Sequence, residues 1–157
     1  RAEDPAARAF EGTPLADASP RSCSHTFCTI VLELLTRGVR VTRRSGKADR
    51  VKYGFVTEGK MVCVRSCRLT YRAPPRRFYL HLTSIYPERF DEMIIAVWIP
   101  RALEIYSMPT HYSFGKDGDT YHLELHGPPG AALLQEAWAA MRGRLAAAGC
   151  RHLATVE

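Results

Sequence analysis

The 157-residue sequence lacks several features that would place it in a common functional class. It contains no run of eighteen apolar residues, which argues against a membrane-spanning helix, and no secretory signal is recognised. There is no Walker glycine loop, no histidine pair at helical spacing and no Gly-x-Ser-x-Gly motif. The sequence therefore lacks the signature residues of P-loop nucleoside triphosphatases, zinc proteases and serine hydrolases. We therefore expect a chain that is not an enzyme and that needs no cofactor.

Cysteine is scarce and shows no C-x-x-C pair. The five cysteines stand at positions 23, 28, 63, 67 and 150. This density predicts reduced thiols in a cytoplasmic setting. Zinc ligands could come from Cys23-x-His25-x-x-Cys28 together with Cys150-x-His152, but the spacing matches no common zinc finger, and we predict no metal. The remaining pair, Cys63 and Cys67, is expected to be buried.

What the chain does have is a positive charge. Lysine and arginine number 22 against 16 acidic residues, a formal net charge of +6, and 46% of the residues are hydrophobic. This length and composition suit one domain with one core. The charge favours an anionic partner, which could be a phosphoinositide headgroup, an anionic membrane surface, nucleic acid or an acidic protein surface.

The chain divides into a tail, a domain and a second tail. Residues 1–22 are rich in Ala, Pro, Asp and Ser and are expected to be a tail or linker. Residues 23–150 are predicted to form the domain, and residues 151–157 a C-terminal tail. The apolar run 26–36 (TFCTIVLELLT) suits either a helix or a buried strand, and its leucines favour a short helix that ends near Gly38.

Alternation of apolar and polar residues predicts several strands. They fall at 39–45, 51–56, 61–65, 77–82 and 120–125, and Asp117-Gly118 predicts a hairpin before the last of them. Segment 86–110 is less clear, because 93–99 and 103–106 could be strands or the whole segment could be an insertion with a short helix.

The last predicted element is an amphipathic helix over 131–148. Leu134, Trp138, Met141 and Leu145 recur at steps of four, three and four and form one apolar stripe. Gly149 stands where a helix-terminating glycine belongs. We interpret Trp138 as a core anchor.

A last strand, a short Pro/Gly link and a helix with a central tryptophan together resemble the pleckstrin-homology (PH) domain. The stretch 34–41 (LLTRGVRV) is similar to the entry into the first strand in PH domains of phospholipase C enzymes. The resemblance implies a mainly β fold, a β-sandwich or partly open barrel of about seven antiparallel strands with a C-terminal capping α-helix. It also implies a non-catalytic targeting or scaffolding module in the cytoplasm, which could associate peripherally with a membrane or with the cytoskeleton.

The resemblance places an anion site in the basic hairpin between the first two strands. Its candidate ligand-binding residues are Arg43, Arg44, Lys47, Arg50 and Lys52. Residues 50 and 52 would point to the same side of a strand, where cations can converge on phosphates. The sequence departs from the family where Lys52 replaces an arginine and Asp49 enters the loop. A protein partner, contacted through the aromatic residues of 86–110, is therefore the second interpretation.

A nuclease-like α/β fold is the alternative from another functional class. A helix at 26–37 followed by strands also suits the core of restriction-endonuclease-like domains. That chemistry needs an Asp near the second strand and Glu/Gln-x-Lys on the third to bind a metal ion. The third strand here reads Cys63-Val64-Arg65-Ser66. The alternative is thus a degenerate nucleic-acid-binding domain, with nucleic acid the less favoured partner. The oligomeric state is not predicted.

Overall fold

The computed structural model describes residues 8–13, 15–16, 31, 33, 43–44, 53–72, 76–109, 112–130 and 133–156. The strands are β1 (Arg43–Arg44), β2 (Gly54–Thr57), β3 (Lys60–Arg68), β4 (Thr70–Arg72), β5 (Arg77–Ile85), β6 (Glu92–Ile99), β7 (Ala102–Met108), β8 (Gly115–Asp117), β9 (Thr120–His126) and β10 (Arg151–Val156). A 3₁₀ turn covers Pro87–Arg89, and helix α1 covers Leu134–Ala147.

The larger sheet has six strands in the order β1-β2-β3-β6-β7-β10. Strands β3 and β6 run parallel, with Cα partners from Val62–Glu92 to Arg68–Trp98, while the other pairings in the described residues are antiparallel. Parallel neighbours need a crossover connection. Here the crossover contains β4 and β5, which belong to a second sheet.

The second sheet has four strands in the order β4-β5-β9-β8. Phe78, Leu80 and Leu82 of β5 point inward and pack against the larger sheet. Helix α1 covers the same core with Trp138, Met141 and Leu145. The inner face of the larger sheet is therefore covered by the second sheet and by a helix. We call the buried residues between these three layers the inner core.

The opposite face of the larger sheet carries a separate core. Val62, Val64, Ile94 and Ile105 pack there with Val31, which is helical. Because both faces of the central strands are buried, β6 reads as a nearly continuous apolar run, and β3 has the four-residue apolar run Met61 to Val64. This two-sided burial also explains why alternation is weak in 93–99.

The sequence predicts the mainly β character and the helix near the C-terminus correctly. Strands appear at each described position where alternation or an apolar run indicated one, and Trp138 is only 5% exposed. Helix α1 ends at a left-handed Gly149 with φ 91°, as its position predicted. Cys63 and Cys67 are both buried in the inner core.

The connectivity differs from the expected antiparallel sandwich. The described residues form ten strands, and β3 and β6 are parallel. Segment 86–110, considered as an insertion, instead supplies β6 and β7 in the middle of the larger sheet. Residues 151–156, expected in a C-terminal tail, form β10 and pair with β7 because that edge of the sheet offers unpaired backbone groups. Within the expected N-terminal tail, Phe10 and Leu15 are buried.

The membrane question has a limited answer. Among the described residues, no helix combines the length and the apolar character that crossing a bilayer requires. The cytoplasmic location stays a prediction.

Candidate functional site

The outer face of the second sheet gathers most of the described histidines. Opposite residues of paired strands point to the same side, and the pairs are Arg72–Arg77, Tyr79–His126 and His81–Glu124. Their neighbours Phe78, Leu80 and Leu123 point to the core, so these side chains point away from it. We call this surface the histidine face; it comprises Arg72, Arg77, Tyr79, His81, His122, Glu124 and His126.

Rings on the histidine face contact one another across the strands. Tyr79 and His126 meet edge to face, with ring centroids 4.6 Å apart, and His81 and His122 do so at 6.1 Å. The Arg72 guanidinium lies 5.2 Å from the centre of the Tyr79 ring. A cation and four rings therefore lie on one side of a sheet as two ring pairs; the Tyr79 ring is only 7% exposed, whereas the three imidazole rings are partly exposed.

Glycine at position 115 allows this arrangement at the edge strand β8. Gly115 lies opposite His122, and a Cβ atom there would collide with the His122 ring. The backbone of β8 can thus come close to the ring only where there is no side chain. The sequence of β8 helps to hold His122 in place.

The charges on the histidine face are mostly positive at neutral pH. Arg72 and Arg77 stand against Glu124, whose carboxylate is 3.7 Å from Nε2 of His126, and Asp117 lies farther out on β8. Burial lowers the pKa of His81; Glu124 opposes this effect, and Arg72 with the two other histidines adds to it. His81 is consequently a neutral ring at neutral pH, able to stack, to donate one hydrogen bond and to accept another.

Two polar atoms of this face are buried without a hydrogen bond. They are Nε of Arg77 and Nδ1 of His126, neither of which has a partner in the part of the chain that the structure describes. An unsatisfied buried donor or acceptor is costly, by about 1–3 kcal/mol.

Strand β3, where a nuclease would carry its catalytic Glu/Gln and Lys, carries Cys63 and Arg65 at these positions. Cys63 and Arg65 share the inner face of β3, and the Arg65 guanidinium donates to the carbonyl oxygens of Thr83 (3.0 Å) and Ser84 (3.4 Å). Arg65 therefore ties β3 to the irregular end of β5, where Ser84 has φ 55°. The described residues contain no group of three or more His, Cys, Asp or Glu side chains that could hold a metal ion.

The basic hairpin predicted as an anion site is described only in part. Arg43 and Arg44 form β1 and pair antiparallel with Val56 and Phe55 of β2. Lys47, Arg50 and Lys52 lie outside the described residues, as do Cys23, His25 and Cys28. The structure accordingly does not bring the predicted anion-binding residues together or separate them.

A second polar cluster lies between β7 and β10. The buried Glu104 carboxylate is 3.1 Å from Nε2 of His152 and accepts hydrogen bonds from the hydroxyls of Thr155 (2.9 Å) and Tyr106 (3.3 Å). These partners satisfy a carboxylate that would otherwise be costly to bury. The cluster fastens β10 to the sheet, which is a structural role.

Because of this cluster, the protein is expected to lose stability at alkaline pH. Burial, reinforced by the Glu104 carboxylate, raises the pKa of Tyr106 to about 12. A tyrosine in an unfolded chain titrates near pH ~10, so the stabilisation is complete below that pH and is lost as pH rises toward 12. We expect the free energy of unfolding to fall by about 2–3 kcal/mol more over this interval in the wild type than in Tyr106→Phe. Urea unfolding at several pH values between 8 and 12 measures this difference, and parallel curves would contradict it.

The sequence signal for the histidine face is the period of two. His81 falls in RFYLHL, and His122 and His126 fall in TYHLELH, where they alternate with core residues. His122 lies on the face opposite Tyr121, because Tyr121 packs against the inner core. What the pattern could not give is the pairing of β5 with β9, which brings the three histidines together.

Comparison of the chain with known protein families, with curated protein sequences and with solved structures gives no match.

Proposed function

We propose that this chain is a non-catalytic domain that binds single-stranded nucleic acid on the histidine face. The observation that carries the proposal is the grouping of three partly exposed imidazole rings with two arginines on the outer side of β4, β5 and β9. Aromatic and imidazole rings can stack on unpaired bases, and arginine can bind phosphate with two hydrogen bonds. A sheet face offers both at the spacing of neighbouring strands.

The strength of such contacts is sufficient for a useful affinity. Stacking of a base on an aromatic side chain contributes about 1–3 kcal/mol, and it depends little on the base. The net charge of +6 adds a long-range attraction that steers a polyanion toward the protein. We therefore expect binding with weak sequence preference and strong dependence on salt.

The fold also favours the nuclease-like alternative over the antiparallel sandwich. A parallel pair at the centre of a sheet that is buried on both faces is a property of α/β folds. Arg65, which lies where that chemistry needs a lysine, is engaged with backbone carbonyls. These features support a domain that binds nucleic acid and does not cleave it.

The PH-like assignment remains a prediction, and it implies phosphoinositide or a protein as the ligand in place of nucleic acid. Its support is the packing of Trp138 on α1, and the parallel strands together with β10 after the helix differ from what the resemblance implies. Phosphoinositide binding by the basic hairpin, or a protein contact, is therefore the outcome to be distinguished from nucleic-acid binding.

Fluorescence anisotropy tests the proposal with a labelled 12-nucleotide single strand, as RNA and as DNA, and a duplex of the same sequence. We expect the single strands to bind more tightly than the duplex, because only unpaired bases expose their faces to the rings. If about three phosphates are contacted, affinity should fall roughly twentyfold between 50 and 200 mM salt. The labelled strands should also remain intact after incubation with Mg²⁺.

A liposome co-sedimentation arm separates the two ligand classes. Vesicles with and without phosphoinositide are compared at physiological salt. Sedimentation that requires phosphoinositide, with no nucleic-acid binding even at low salt, would overturn the proposal and favour the PH-like interpretation. Cleavage of either strand would show that the domain is catalytic.

A further inference from the structure

A cavity of about 270 Å³ lies beside the start of β6, away from the histidine face. Its walls carry the rings of Phe90, Tyr112, Phe114 and Tyr121, and the buried side chains of Met93 and Met108 also line it. We call this cavity the aromatic pocket. Pockets for drug-sized ligands have volumes of about 300–1,000 Å³, so this one suits a single compact group.

The four rings are held by the core but are not covered by it. Each is partly exposed and packs against the inner core. Tyr112 and Phe114 are tilted by 55° with centroids 4.9 Å apart, so two neighbouring walls present different ring faces. Lys116 already places its ammonium nitrogen 5.4 Å from the centre of the Tyr121 ring. One lining ring therefore accepts a cation within this molecule.

Two carboxylates also line the aromatic pocket. Oδ2 of Asp91 accepts the backbone N–H of Met61 at 2.8 Å, which fixes the carboxylate, and Oδ1 accepts no hydrogen bond from the described residues. Glu92 follows at the start of β6 and forms an exposed ion pair with Lys60 at 3.5 Å. Negative charge next to ring faces is complementary to a cation with an apolar surface.

We propose that the aromatic pocket binds a methylated ammonium group. Such a group has a positive charge for Asp91 and Glu92, and its methyl groups suit the rings and the two methionines. Ring faces attract a quaternary ammonium through their negative quadrupole, and the charge is more weakly hydrated than that of an unmethylated ammonium. The source of the group is either a trimethyllysine side chain of another protein or a small free quaternary ammonium ion such as choline.

The binding experiment uses the whole chain and three small probes. Tetramethylammonium chloride, choline chloride and the neutral isostere tert-butanol are titrated while ¹H–¹⁵N and aromatic NMR signals are recorded. We expect shifts of the Tyr112, Phe114 and Tyr121 signals with both cations, and at least tenfold weaker binding of tert-butanol. A second arm compares a trimethyllysine peptide with its unmethylated form. Tighter binding of the methylated peptide than of choline would identify a protein side chain as the source. Tighter binding of choline would identify a small free quaternary ammonium ion.

Two variants show whether the pocket is responsible. Asp91→Asn with Glu92→Gln keeps the acceptor for Met61 but removes both charges, and it should weaken tetramethylammonium binding about tenfold. The matched control is Glu88→Gln with Glu136→Gln, which removes two exposed carboxylates that do not line the pocket. Equal binding of cation and neutral isostere, or equal affinity of the double variant and the control, would overturn the proposal. The outcome is independent of nucleic-acid binding, because none of these probes is a polyanion.

Discussion

Replacing Trp138 by alanine is expected to lower the free energy of unfolding by about 3–5 kcal/mol. The side chain is 5% exposed and packs in the inner core, with its ring 6.2 Å from that of Tyr106 on β7. Because α1 covers the part of the core beside the second sheet, the cavity would open where helix and strands meet. A loss of this size removes a large part of the stability of an ordinary domain, which is about 5–15 kcal/mol.

A comparison of the two tryptophans sharpens this prediction. Nε1 of Trp138 has no hydrogen-bond partner in the described residues, whereas Nε1 of Trp98 donates to the buried Ser66 hydroxyl at 2.7 Å. Trp138→Phe should therefore cost only the lost ring volume, while Trp98→Phe also leaves Ser66 without this donor. Urea unfolding followed by far-UV circular dichroism measures all three variants. A Trp138→Ala variant within about 1 kcal/mol of the wild type would contradict the assignment of Trp138 as a core anchor.

The helix was predictable because its signal is local. Leu134, Trp138, Met141 and Leu145 repeat at the helical period, and Gly149 follows directly, so neighbours in sequence contain the whole pattern. The strands β5 and β9 were predictable for the same reason, since one face of each packs in the core and the other, apart from Tyr79, is more exposed. In both cases the period shows which side of the element meets the core.

The connectivity could not be predicted because it depends on contacts between distant residues. The β3–β6 pair joins residues about thirty positions apart, and nothing in either apolar run specifies whether its neighbour is parallel. Strand β10 alternates only weakly, and its pairing with β7 rests on Glu104, His152 and Thr155, which are polar. A polar segment after a helix is typical of a tail, so its role as an edge strand was missed.

The candidate site could not be predicted because its residues are not clustered in the sequence. Arg43 and Arg44 are adjacent in sequence, whereas Arg72, His81 and His122 come from three different strands. Rings that alternate with core residues read as ordinary exposed positions until the strands are paired. The basic hairpin remains a prediction, and the histidine face is what the pairing of β4, β5, β9 and β8 adds.

The second large effect is expected from removing the two arginines of the histidine face. The double variant Arg72→Gln, Arg77→Gln should bind the 12-nucleotide single strand about 30–900-fold more weakly, because each charge-assisted contact with phosphate contributes roughly 1–2 kcal/mol. The slope of log affinity against log salt should also become less steep by about 1.4. The matched control is Arg142→Gln, Arg144→Gln, which removes the same charge from exposed positions of α1. If both double variants lose the same affinity, net charge is responsible and the histidine face is not the binding surface.

The pH dependence of binding then separates the rings from the arginines. Because the pKa of His81 is lowered, its ring is neutral at pH 7 and gains a proton only in more acidic solution. Bound phosphate favours the protonated ring, so affinity should rise as pH falls from 7 toward 5, in the direction that linkage requires. His81→Gln should bind at pH 7 with a smaller loss than the double arginine variant and should lose part of the rise at low pH. Arginines stay charged throughout this range, so an unchanged rise in His81→Gln would place the ligand away from β5.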